Sequence, residues 1–272
     1  MGKWRDPLSD SDEHNARGIE LADRGWLDEA VREFSRAIEL DPKSAHAHDN
    51  LATVLAERGD LFAALLEYVE ALRVDPESPA AHHYLGSFLA AHGPDLAMQK
   101  YRRAIELEDD FPDAHLNLAM ALADRGQLDE ALASLETAHK LASDDEMIQH
   151  ELAACLIDLE RYPEAIGHLK RIVRQYPEHL EAFIDLGVAY TAQGFYAEAE
   201  GVLRRALELD PQDVAAHYHI AALYSAWGRP TEALDHLEAA ASHDRDKVRV
   251  WLREDRLFDP LQNEERYVKL MA

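Results

Sequence analysis

The residues of this chain that could do chemistry are 15 histidines, a single cysteine and a large excess of acids. Metal ligation is the first chemistry to weigh, because neutral imidazole is the commonest metal ligand. The spacing argues against it. His46 and His48, like His217 and His219, lie two apart and so point to different faces of a helix, and the adjacent His82 and His83 diverge equally. His48, His82, His115 and His217 instead recur at one position of a repeating pattern, as packing residues between helices would. The lone Cys155 cannot complete a zinc-type Cys/His set, and its place on an apolar helical stripe fits a buried, inert thiol. The acid runs Asp10-Ser11-Asp12-Glu13 and Asp144-Asp145-Glu146 lack the glycine and ligand spacing of a calcium loop. Glycine-rich phosphate loops, serine nucleophile elbows and kinase motifs do not occur. The expectation is a protein without catalytic, cofactor or metal site, and not an enzyme.

Lys and Arg number 28 against 53 Asp and Glu, a formal net charge of −25 at pH 7. Such a field repels phosphate backbones and anionic headgroups, which argues against nucleic acid and membrane surfaces as partners. It keeps an apolar-rich, repetitive chain soluble, and it favours partners with basic segments within about 8 Å at physiological salt. The apolar stretch from Leu116 to Leu141 is broken by Asp124, Arg125, Asp129, Glu130 and Glu136, so no membrane insertion is expected. One cysteine excludes an intramolecular disulfide, and the polar N-terminus carries no signal-like run. These features predict a cytoplasmic protein.

The elements that must position any site come from internal repetition. Pro42 and Pro76 lie 34 residues apart, as do Pro177 and Pro211, Gly25 and Gly59, Ala30 and Ala64, and Phe34 and Tyr68. The same offset links Ala165, Ala199 and Ala233. Seven units result, at 11–44, 45–78, 79–111, 112–145, 146–179, 180–213 and about 214–247, after a polar leader at 1–10. The third is one residue short, with Ala97 and Tyr101 one step early after Gly93-Pro94. Each unit holds two apolar-periodic segments of helical length with a short turn between them. Gly25, Gly59, Gly126, Gly194 and Gly228 are placed to end the first helix in a left-handed conformation. Acids such as Asp28, Glu29, Asp129 and Glu130 open the second helix, where they complement its dipole. Asp41-Pro42, Asp75-Pro76 and Asp210-Pro211 close one unit before the next. Residues 245–272, with Trp251, Phe258, Leu261 and Tyr267, read as two short helices around Asp259-Pro260 that cap the last repeat.

This pattern resembles the tetratricopeptide repeat family, of a bacterial type, over about nine tenths of the chain. The resemblance implies an all-α fold, a right-handed α-solenoid of helix–turn–helix repeats with a capping helical segment. It also implies that first helices line a concave groove through particular positions of each unit. Carried onto this sequence, the groove residues are Asn15, Asp49, Asn50, His83, Leu116, Asn117, Met120, Asp124, His150, Ile157, Ile184, Val188 and Tyr218. The N-terminal end is polar and acidic, and the later units are apolar. Asn50 and Asn117 resemble a fragment of the asparagine ladder of O-linked glycosyltransferase repeats, interrupted by Tyr84, Glu151, Asp185 and His219.

The implied function is a protein-interaction scaffold or adaptor holding a protein or peptide with basic and apolar segments. The groove positions carry no Lys or Arg, which disfavours an acidic tail as ligand. The alternatives are a self-assembling homo-oligomer, or an accessory subunit of an enzyme or of a secretion or motility complex.

Overall fold

The computed structural model describes residues 7–91 and 93–272; Met1 to Asp6, most of the expected leader, lie outside it, as does His92. Among the described residues there are sixteen α-helices, one 3-10 helix and no strand. The chain divides into two compact units, one up to Leu141 and one from Ala142 onward.

The first unit contains four helical hairpins: α1 (Pro7–Asp23) with α2 (Leu27–Leu40), α3 (Ala45–Arg58) with α4 (Leu61–Val74), α5 (Pro79–Leu89) with α6 (Pro94–Leu107), and α7 (Pro112–Ala123) with α8 (Leu128–Leu141). Within this unit each second helix also packs on the first helix of the next hairpin. Helix α1 starts at Pro7, ahead of the expected start at Ser11. Ser11 lies inside the helix, where its hydroxyl donates to the Ala37 carbonyl (3.0 Å) in the last turn of α2, a carbonyl that also accepts the Asp41 N–H.

The second unit contains three hairpins and a tail. Helix α9 (Glu146–Asp158) pairs with α10 (Tyr162–Gln175), α11 (Leu180–Ala192) with α12 (Tyr196–Leu209), and α13 (Val214–Ala226) with α14 (Pro230–His243). The tail has three pieces rather than two: α15 (Arg245–Leu252), a 3-10 helix (Arg256–Leu261) holding Pro260, and α16 (Glu265–Met271). It lies on α13 and α14. Phe258 and Leu261 are fully buried, and the Phe258 and Trp251 rings sit 5.2 and 4.9 Å from that of Tyr218.

Small residues set the spacing within hairpins. Ala30, Ala64, Ala97, Ala131, Ala165, Ala199 and Ala233 are all fully buried, one from each second helix. A methyl group added to Gly187 would run into the Leu203 side chain, so only glycine lets α11 and α12 approach as they do. The five turn glycines named from the sequence all have positive φ, as at Gly59 (φ 92°). In the fifth hairpin Glu160 holds that conformation instead (φ 57°), which is unfavourable for a side chain with a Cβ.

The recurring histidines are tie-points of this scaffold. His48, His82, His115 and His217 each donate from Nε2 to the carbonyl six residues back, at 3.4, 3.1, 3.1 and 3.1 Å. Gln149 does the same to Ser143 at 2.7 Å. Each bond fastens a first helix to the turn that precedes it, where carbonyl groups lack helical partners. Cys155 is buried, as its position on the apolar stripe of α9 predicts.

Candidate functional site

The predicted groove positions lie on the first helices, and packing sorts them into three groups. Leu116, Ile184 and Tyr218 are buried, at 6, 6 and 4% exposure, and act as packing residues rather than free anchors. Asp49 and His83 are buried too. Asn15, Asn50, Asn117, His150, Ile157 and Val188 are half-buried. Met120 and Asp124 are exposed, and Met147, in the first turn of α9 three residues before His150, is 59% exposed. The free apolar surface at these positions is therefore chiefly methionine, which adapts to irregular partners.

Several polar residues of this set are joined in rungs between neighbouring hairpins. The fifth residue of one repeat meets the sixth of the next. Asn50 Nδ2 donates to Asn15 Oδ1 at 3.0 Å, Asn117 Nδ2 to His83 Nε2 at 2.7 Å, and His150 Nε2 to Asp185 Oδ2 at 2.9 Å. Tyr218 makes the corresponding bond to Asp255 of the tail at 3.0 Å. The asparagines are thus spent on each other and on histidine, and the interrupting Asp185 is itself a rung. Sequence spacing alone hid this, because each rung joins residues 34 to 37 apart at unlike positions of successive units.

The rungs leave a charge signature. The hydrogen bond to Asp185 raises the His150 pKa despite burial, whereas burial lowers that of His83, whose carboxylate neighbour Asp113 only partly offsets it. Asp49 has no rung. Burial pushes its carboxyl up to about 7, His48 opposes this, and Asp75 adds to it.

A hollow of about 500 Å³ opens in the first unit where the third repeat is one residue short. Ala90, Pro94, Ala97 and Tyr101 form one side, and Asn117, Met120, Ala121 and Asp124 the other. Helix α5 has 11 residues against 14 in α3, and helical hydrogen bonding carries on from it through Gly93 N–H to the Leu89 carbonyl (2.7 Å), directly into the start of α6. The deletion was visible in the sequence; the hollow beside it at Met120 was not. At the rim, Arg125 is paired with Asp95 at 2.5 Å. Among the described residues, no group of three or more His, Cys, Asp or Glu is arranged to hold a metal ion, and no helix is long and apolar enough to cross a membrane.

Comparison with known proteins agrees with this architecture. Models described as tetratricopeptide or TPR repeats match residues 18–59, 100–133, 152–214 and 190–253, together about two thirds of the chain. Tetratricopeptide repeat protein 8 of Caenorhabditis elegans is 26% identical over 103 residues, 37% of this chain and 20% of that protein. The matched segment is only a tenth of a second relative, the Drosophila melanogaster protein O-mannosyl-transferase Tmtc3, so the chain spans a small part of the curated relatives it matches. Among solved structures, a tetratricopeptide repeat protein from Parabacteroides merdae superposes with a TM-score of 0.64 at 14% identity, covering 90% of this chain and 98% of that one. YrrB, described as a TPR protein with an unusual peptide-binding site, gives 0.57 at 20% identity, covering 69% and 98%. Repeat register, helical hairpins, turn chemistry and these matches converge: the chain belongs to the tetratricopeptide repeat family.

Proposed function

We propose that this protein is an interaction scaffold of the cytoplasm that holds a segment of a partner protein along the first-helix face of its first unit. The observation that carries the reading is the hollow at the short third repeat. A cavity of about 500 Å³ with alanine walls, an exposed methionine and a polar rim suits an apolar side chain of a bound segment. Asp124 is exposed in the groove, and Asp12, Asp23 and Asp113 are exposed on the first helices α1 and α7, so basic residues flanking that anchor would be favoured. The peptide-binding site described for YrrB, which shares the fold, adds to this reading.

The test is affinity capture from the native lysate by wild type and by Met120→Glu, with both proteins checked for folding by circular dichroism. Met120 is 40% exposed, so the substitution leaves the core alone. A stoichiometric partner lost in the variant supports the reading. Recovery of the protein alone, as concentration-dependent assemblies, would favour a self-docking scaffold instead. Ile184→Glu does not serve as a second probe, because Ile184 is buried and a charge there would unfold the hairpin.

A further inference from the structure

We propose that the Asp49 carboxylate anchors a lysine or arginine side chain of the bound segment, an inference that rests on the segment-binding reading above. Asp49 is 2% exposed, yet neither carboxylate oxygen has a hydrogen-bond partner among the described residues. Its position in α3 is that of Asn15, His83, His150 and Tyr218 in their own helices, and each of those four is matched by a residue one repeat on. The register counterpart of Asp49 is Tyr84, which is 43% exposed and leans on the His83 ring with centroids 5.6 Å apart. That rung is unmade.

The nearest hydroxyl donors are already committed. Thr53 Oγ1 donates to the Asp49 backbone carbonyl at 3.0 Å, so it must accept from the Tyr68 hydroxyl at 3.1 Å, which uses the one proton Tyr68 has. An ionised carboxylate accepts several hydrogen bonds and donates none, and a buried one without a partner is strongly unfavourable. Asp75 adds further negative potential, and the groove positions supply no Lys or Arg. Within the chain the carboxyl meets this cost by holding a proton; we infer that a cationic donor from the bound segment replaces that proton and holds the group ionised. Its route is the seam between α3 and α5, the two helices that carry Asp49 and the 43% exposed Tyr84. The apolar anchor at Met120 and the cation at Asp49 together define a basic-and-apolar ligand.

The test uses the full-length chain and its isosteric variant Asp49→Asn, which removes the charge and keeps the shape. Both are panned against a random dodecapeptide phage library. Peptides selected by wild type should share a Lys or Arg, bind Asp49→Asn at least tenfold more weakly, and lose the same factor in wild type when that residue becomes norleucine. The two losses should not add in the double change. Selected peptides without a basic residue, or equal binding to Asp49→Asn, overturn the anchor and leave segment binding standing. If neither protein selects a peptide, segment binding fails, and a second measurement decides Asp49 by itself. Butylguanidinium chloride, followed through the Asp49 ¹³Cγ resonance, should give a saturable change in that resonance and lower the carboxyl midpoint. Absence of a saturable change overturns the anchor.

Discussion

The second and seventh hairpins place the same residue types on the same scaffold and arrive at opposite electrostatics. In both, a first-helix histidine donates from Nε2 to the carbonyl of a preceding proline. His48 then meets Glu67 at 2.7 Å through Nδ1, and because acceptors face both ring nitrogens the charged form is favoured and its pKa is raised, against the opposing effect of burial. His217 meets His236 at 3.0 Å, and His236 is driven down to about 4, first by burial and then by its neighbour. One helical turn offers a second contrast. Tyr218 finds Asp255 of the tail, while Asp49 finds nothing. The lesson is that the alanine and aromatic framework fixes the hairpin, and the polar residues grafted on it vary without disturbing it.

The largest effect should come from opening the seventh hairpin. Phe258→Ala removes a fully buried ring that covers Tyr218, and we expect a loss of about 3–5 kcal/mol in urea unfolding, confined to the C-terminal unit. Equal destabilisation of the first unit, read by site-specific hydrogen exchange, would contradict that confinement.

Next in size is the pH response of the second hairpin. The Asp49 carboxyl is raised from 3.8 to about 7, so the folded state binds the proton more tightly than the unfolded chain does. Stability should fall as pH rises between about 4 and 7, at roughly 1.4 kcal/mol for each pH unit and about 2–4 kcal/mol in all. Asp49→Asn should flatten that slope and be the more stable protein at pH 8; a slope unchanged in the variant would assign the effect elsewhere.

The histidines should then give slopes of opposite sign. His48 stabilises as a cation, so its contribution is present below pH 6.5 and lost as pH rises through its raised pKa. His236 stabilises as a neutral ring, so its contribution is present above 6.5 and lost as pH falls toward about 4. His48→Gln should cost stability at pH 5 but little at pH 8, and His236→Gln should remove the loss of stability toward pH 4, so melts at pH 5 and pH 8 separate the two.

The smallest change is a backbone control. Glu160→Gly relieves a left-handed residue where five other hairpins have glycine, and should stabilise by about 0.5–1 kcal/mol without altering any pH slope.

Most of the framework was legible in the sequence because it is written locally. A glycine at the turn, an Asp-Pro step and an alanine every 34 residues each act within one hairpin. The groove was less legible because exposure is decided by neighbours. Leu116 and Ile184 occupy the same register as Asn15, and packing buries both. Tyr218 disappears beneath Trp251 and Phe258, residues that lie outside the repeat and share no period with it. The rungs were hidden for a related reason: a bond between positions five and six of successive units leaves no trace in a position-by-position alignment of repeats.

The buried thiol of Cys155 makes the molecule its own clock. It is the only cysteine in the chain and is 3% exposed on α9, so a thiol reagent reacts only when the fifth hairpin opens. In a repeat protein, where hairpins lean on their neighbours, that labelling rate reports how often one defined link comes apart while the rest hold. The unmodified protein thus carries a single-site probe of whether its repeats breathe one at a time or together, and of whether an occupied groove slows them.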